Sequence, residues 1–188
     1  MNPSLPPLPG LGTEAQRLDE ALRVDHAGEL AAIHIYTAQS KVFEAMNRAD
    51  LSAYFGEKAA EEQVHHDQFC EWMRVQKTRP TLMTPLWRLM ATGLGGATAL
   101  MGERAAHVCT EAVENVIEQH YDDQINAMKN SHPEWTDKIT PFRDDERRHR
   151  DEAVQKGGLE KTLPPHLQAL RFMITKGCQA AIKISEKI

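Results

Sequence analysis

Cysteine is scarce in this chain: Cys70, Cys109 and Cys178 are its only three, they lie far apart, and none forms a Cys-x-x-Cys pair. That excludes a disulfide framework and a zinc ribbon, and it points to a reducing compartment. Positive charge is scarce as well. With 22 Lys and Arg against 27 Asp and Glu, a net charge of −5 and no clustered basic stretch, the chain lacks what a nucleic-acid partner requires. Long apolar runs are missing. The longest uncharged stretch, Leu89 to Gly102, has 14 residues, short of the roughly 20 that span a bilayer as a helix but enough to lie in its interface. Strand signals are missing too: there is no sustained period-two alternation and no Asn-Gly or Asp-Gly turn. Met1 to Leu11 is rich in proline and carries no charged side chain, so it has neither the basic and apolar blocks of a signal peptide nor the arginines of a transit peptide. A cytoplasmic protein is expected.

What is present suits one soluble domain. At 188 residues, 41% hydrophobic and 26% charged, the chain can bury a sizeable core. Residues 1–12 read as a flexible Pro-rich leader and 13–188 as the domain. Helical spacing through Leu18, Leu22, Ala32, Tyr36 and Phe43 predicts a first helix from about Thr13 to Arg48. Leu51, Phe55, Phe69, Trp72 and Met73 predict a second, antiparallel to it and ending near Thr78, before Pro80. Leu82 to Met101 is apolar all round and contains Gly93, Gly95 and Gly96, which suits a closely packed crossover helix. A fourth helix starts at Glu103, and Ser131 with Pro133 marks the start of a fifth. Pro141 lies inside that fifth pattern, so the helix either begins afresh at Thr140 or kinks there. A sixth runs from about His166 to Lys187. The expected fold is all-α: a four-helix bundle with two additional apolar helices.

The informative anomaly is a set of polar residues where four apolar seams should be continuous. Helix one carries Asp25, Glu29 and Tyr36 on the row through Leu22 and Phe43, and helix four carries Glu114 and Tyr121 on the row through Thr110 and Met128. Helix two places Glu62 and His65 between Phe55 and Phe69; helix five places Glu146 and His149 between Phe142 and Ala153. Both of these pairs are Glu-x-x-His, whose members face one way on a helix and can serve one metal. With 17 Glu and 9 His in the chain, roughly one such pair arises by chance, so the repeat carries the weight. Glu29 precedes Glu62 by 33 residues and Glu114 precedes Glu146 by 32. Two helical hairpins carrying the same unit would bring six ligands together as a dimetal site.

Four buried carboxylates need compensating cations, and two divalent ions supply them. The mixture of carboxylate and imidazole suits two Fe2+ ions, with manganese open on ligands alone. Tyr36 and Tyr121 are either plain core aromatics or residues that bond the ligands or carry electrons. Asp25, Glu61 and Asp145 are candidates to orient the ligating imidazoles, or else surface acids. His26, His34, His66, His107, His120, His132 and His166 lack the paired geometry and read as structural or exposed.

The segments RVDHAGELAAIHIY, EEQVHH, RPTLMTPLW, CTEAVENVIEQHYDDQI, FRDDERRH and GCQAAIKISEKI resemble the demethoxyubiquinone hydroxylase family of ferritin-like di-iron proteins. The resemblance covers nearly the whole chain and includes RPTLMTPLW, which dimetal bundles in general do not share. Pro141 ahead of Glu146 and the LAAIH stretch of helix one are local departures. The resemblance implies that Glu29, Glu62, His65, Glu114, Glu146 and His149 hold two iron ions. It also implies an O2-dependent monooxygenase that hydroxylates the ring of a polyprenyl demethoxyubiquinol in ubiquinone biosynthesis.

The electron source would be external, with NADH one candidate, because no Gly-x-Gly-x-x-Gly fingerprint is present. On the same resemblance, Leu89 to Gly102, with Trp87, Arg88 and the Leu167, Leu170, Met173 and Ile174 face, would form a membrane-contacting surface and a lipid-tail channel, or else core and oligomer packing. The implied setting is the cytoplasmic face of a bacterial inner membrane, with peripheral attachment, a lipid-binding partner protein from ubiquinone biosynthesis and a homo-oligomer as expected associations. Ferritin-like iron oxidation and storage, a di-iron hydroxylase of another substrate, and a non-catalytic scaffold are the competing readings.

Overall fold

A computed structural model describes residues 13–188; the expected leader lies outside the described residues. Six helices follow in order: α1 (Glu14–Ala45), α2 (Ala49–Gln76), α3 (Thr84–Leu100), α4 (Glu103–Met128), α5 (Pro133–Gly157) and α6 (Pro165–Ser185). Among the described residues there is no strand. This is the all-α architecture expected, a ferritin-like bundle of α1, α2, α4 and α5 with α3 and α6 added outside.

Local chemistry sets the helix ends. Thr13 caps α1 through a reciprocal pair: the Gln16 backbone N–H donates to its hydroxyl at 3.2 Å, and its own N–H donates to Gln16 Oε1 at 2.7 Å. Asn47 at φ 58° turns the chain from α1 into α2, and Lys77 at φ 61° ends α2. Gly102, at φ 105°, makes the bend from α3 into α4, a conformation that a side chain would strain.

Within the bundle, a seven-residue repeat makes the buried stripes. Leu22, Glu29, Tyr36 and Phe43 form one on α1, and His107, Glu114, Tyr121 and Met128 form the equivalent on α4; all eight are at most 3% exposed. α1 packs on α2 and α4 on α5, as two hairpins. Two apolar clusters flank the carboxylates. One gathers Tyr36, Phe43 and Phe55 with residues of α3, α4 and α6, and the other gathers Leu22, Phe69, Tyr121, Met128, Trp135 and Ile139.

Of the two outcomes expected at Pro141, the fresh start at Thr140 is excluded, since α5 runs as one helix through it. Pro141 has no N–H for the Asp137 carbonyl, a loss worth about 3 kcal/mol in a helix interior. The turns on its N-terminal side are held by packing instead: Trp135 and Ile139 are buried in the second cluster. The Thr140 hydroxyl also donates to the Thr136 carbonyl at 2.7 Å.

α3 lies along α1 and α6 along α4. Each divides its apolar residues. Ala91, Gly95 and Ala99 of α3 face inward, while Leu86, Leu89, Met90 and Leu100 are exposed; on α6, Leu167, Leu170 and Ile174 are buried and Phe172 and Met173 are exposed. Met173 therefore does not share the buried face of the other three. Gly95 is where α3 can approach closely, because a Cβ there would stand 2.3 Å from the Ile35 carbonyl oxygen.

Candidate metal centre

All six residues singled out from the two repeated units meet at the middle of the bundle, and all are buried: Glu29, Glu62 and Glu146 at 1% exposure, Glu114 and His149 at 0%, His65 at 8%. They fall into two overlapping groups. Glu29, Glu62, His65 and Glu146 form one; Glu62, Glu114, Glu146 and His149 form the other, and within each group one donor atom per residue lies within 4.8 Å of the rest. Glu62 and Glu146 belong to both. That arrangement suits two cations with Glu62 and Glu146 between them, Glu29 and His65 on one side and Glu114 and His149 on the other.

The inward-facing atoms crowd together with few bonding partners. His65 Nδ1 is 3.4 Å from Glu29 and Glu62 and 3.5 Å from Glu146, and His149 Nδ1 is 2.9 Å from Glu62. Yet both nitrogens, both oxygens of Glu62 and of Glu146, and the Oε2 atoms of Glu29 and Glu114 are buried without a hydrogen-bond partner. So many orphaned polar atoms around one point would be costly without metal, and the donor set is the one that iron accepts.

Charge is correspondingly tense. Burial pushes the carboxyls of Glu29 and Glu114 well above the ordinary range, and neighbouring carboxylates add to it. Burial would raise Glu146 too, but the imidazoles of His149 and His65 facing it hold it low. For His149, burial would favour the neutral ring, yet the Glu146 and Glu62 carboxylates raise it to about 10.

The residues around the ligands are exchanged between the two hairpins. Tyr121 on α4 donates its hydroxyl to Glu29 of α1 at 2.5 Å, and Tyr36 on α1 donates to Glu114 of α4. Glu61 on α2 bonds His149 Nε2 of α5 at 2.6 Å, and Asp145 on α5 lies 3.3 Å from His65 Nε2 of α2. Each imidazole thus turns Nε2 to an acid and Nδ1 to the centre. Asp25 differs from expectation: it orients neither of these imidazoles, but accepts from Gln124 at 2.7 Å and lies 3.5 Å from His120.

Sequence reasoning missed two cations. Arg148 reaches Asp145 at 3.1 Å and Glu61 at 3.3 Å, and the buried Lys58 reaches Glu152 at 2.9 Å and Glu61 at 3.2 Å. Burial would raise Glu61, but His149 and Lys58 bring it down to about 2. Lys58 sits on the same row as Phe55 and Glu62, so a charge inside an apolar seam was the available signal. Also missed was the meeting of His26, His66 and Cys70, which the sequence presents as unrelated.

Beside the centre is an apolar cavity of about 390 Å³ between α1, α3, α4 and α6, walled by Ile35, Leu94, Ile117 and Ile174 among others. Its polar lining includes Asp25, His120 and Tyr121. Because Tyr121 also bonds Glu29, one side chain joins the cavity to the carboxylate cluster.

A family profile described as "Ubiquinone biosynthesis protein COQ7" matches residues 16–185. The human protein named "NADPH-dependent 3-demethoxyubiquinone 3-hydroxylase, mitochondrial" is 35% identical over 175 residues, 91% of this chain and 78% of its own length. The Rhodospirillum rubrum protein named "3-demethoxyubiquinol 3-hydroxylase" is 35% identical over 181 residues, 96% of this chain and 83% of its own. The Saccharomyces cerevisiae protein named "5-demethoxyubiquinone hydroxylase, mitochondrial" is 34% identical over 194 aligned positions, 93% of this chain and 80% of its own.

Proposed function

Given that the chain belongs to the ubiquinone biosynthesis protein COQ7 family, we propose that it is an O2-dependent di-iron monooxygenase hydroxylating the ring of a polyprenyl demethoxyubiquinol. One observation carries the reading beyond kinship: an apolar cavity suited to a lipid-like molecule ends on Tyr121, which bonds the carboxylate cluster.

Glu29, Glu62, His65, Glu114, Glu146 and His149 would hold two Fe2+ ions, whose chemistry when bound is O2 reduction and transfer of one oxygen atom to an electron-rich ring. The protein supplies the rest. Glu61 and Asp145 keep His65 and His149 presenting Nδ1 inward. Tyr121 holds its proton against Glu29, since burial pushes its hydroxyl well above the ordinary value. Among the described residues, Asp25 and His120 are the titratable carboxylate and imidazole of the cavity lining, so the polar ring would turn toward them and Tyr121 while the prenyl tail lies against the aliphatic walls. Those walls exclude water from the reacting ring.

The relatives' names support a nicotinamide reductant: the human protein is called NADPH-dependent. For this chain we read the reductant as external, NADH or NADPH. Leu86, Leu89 and Met90 on α3 and Phe172 and Met173 on α6 leave an exposed apolar surface around the cavity, which supports peripheral membrane attachment and tail delivery from the bilayer. No helix among the described residues is long and apolar enough to cross a membrane. We read this attachment as lying at the cytoplasmic face of a bacterial inner membrane; a bacterial protein is among the relatives. The same surface suits a lipid-presenting partner protein or a second copy of the chain.

The test compares variants for iron content and for conversion of a short-chain demethoxyubiquinol. Glu114→Ala and His149→Ala should lose both bound iron and product, whereas exposed His166→Ala should lose neither. Full activity in either of the first two variants would refute the assignment.

A further inference from the structure

A second set of donor atoms lies on the flank shared by α1 and α2. His26 is one turn before Glu29 on α1; His66 and Cys70 are one turn apart on α2, with His66 directly after His65. His26 Nε2 and His66 Nε2 are 3.1 Å apart, and Cys70 Sγ lies 3.8 Å from both ring nitrogens of His66. One donor atom from each of the three lies within 4.8 Å of the others. His26 is only 6% exposed and its Nδ1 is buried without a partner, whereas Cys70 is open to solvent.

A hydrogen bond accounts for the contact of the two imidazoles, and one turn of α2 for the thiol beside His66, but neither alone sets all three donors around one point. One metal ion accounts for all three. With metal–nitrogen bonds of about 2.0–2.1 Å and a metal–sulfur bond of about 2.3 Å, a tetrahedral ion separates two nitrogens by roughly 3.3 Å and a nitrogen from a sulfur by roughly 3.6 Å. The observed 3.1 and 3.8 Å differ from these by a few tenths of an ångström. We propose that His26, His66 and Cys70 form a mononuclear site for a thiophilic divalent cation of the Zn2+ class, with its fourth position open to water.

The two metal centres differ in kind. The central cluster offers four carboxylates, two imidazoles and no sulfur, while the three residues of this flank offer two imidazoles and a thiolate, with the exposed Asp67 carboxylate 3.8 Å from His66 Nδ1. Binding expels the Cys70 thiol proton to solvent, with no change of oxidation state. The ion would clamp α1 to α2 next to Glu29 and His65.

The experiment uses the full chain, loaded with Fe2+ under anaerobic conditions, and titrates it with Co2+ as a spectroscopic stand-in for Zn2+. The expected result is a thiolate-to-cobalt charge-transfer absorption that saturates at one equivalent, disappears in Cys70→Ser and persists in Cys178→Ser. In a second measurement, one equivalent of Zn2+ should slow alkylation of Cys70 at least tenfold in the parent and not in His26→Ala. Absence of the band at stoichiometric Co2+, its survival in Cys70→Ser, or protection of Cys70 only at large metal excess would overturn the site. The band reports a thiolate ligand, which the six-residue centre does not contain, so this result and the test of the proposed function are independent.

Discussion

Glu61 and Asp145 show how single side chains prepare this centre. Each faces Nε2 of the imidazole carried by the opposite hairpin, Glu61 through a hydrogen bond and Asp145 at 3.3 Å, and so favours Nδ1 facing inward. Glu61→Gln keeps the size of the side chain but removes the charge that stabilises the ring, so iron affinity should fall about 10- to 100-fold. Anaerobic Fe2+ titration reads this directly. His107 gives a second prediction. Burial among Tyr54 and Phe55 lowers its value to about 4, against about 6.5 when unfolded. The folded state therefore binds fewer protons than the unfolded state between those values. Above pH 6.5 the residue contributes no pH dependence; as pH falls from 6.5 to 4 it destabilises the fold, by up to about 3 kcal/mol. Urea unfolding at pH 7 and pH 4.5 should show a smaller loss of stability in His107→Leu than in the parent.

At the scale of elements, the approach of α3 to α1 rests on Gly95. Gly95→Ala would drive a methyl group into the Ile35 backbone, and the expected cost is about 1–3 kcal/mol. Gly93→Ala meets nothing within 4 Å and should be neutral or stabilising by about 0.5–1 kcal/mol. Denaturation midpoints distinguish the two. This contrast also marks what was legible in the sequence. Six helices and the six central residues were readable because the seven-residue stripes through Glu29 and Glu114, and the repeated Glu-x-x-His, are local patterns. Which of the two outcomes at Pro141 holds was not, because continuity depends on Trp135 and Ile139 docking against residues of other helices. The exchange of partners between hairpins was hidden for the same reason. Tyr36 is seven residues from Glu29 in sequence but bonds Glu114, and Asp25 turns toward His120 and Gln124 from a helix far along the chain.

For the molecule as a whole, the centre is the least self-sufficient part of the bundle. Four buried carboxylates sit between two apolar clusters, with Tyr36, Tyr121, Glu61 and Asp145 tying one hairpin to the other around them. Each metal ion bound to the folded state alone should stabilise it by about 2.7 kcal/mol at one hundred times its dissociation constant. Calorimetry should therefore show Tm rising with Fe2+ under anaerobic conditions and falling on chelation, with the response lost in Glu62→Ala. On the proposed function, the cavity and the exposed faces of α3 and α6 would receive the amphiphilic substrate beside that centre. The most direct measurement is exposure of the reduced, iron-loaded protein to 18O2 with a short-chain demethoxyubiquinol and a reductant, followed by mass spectrometry of the quinone product. The account predicts a product carrying one 18O atom on the ring. An unchanged substrate, with two irons per chain verified, would contradict it.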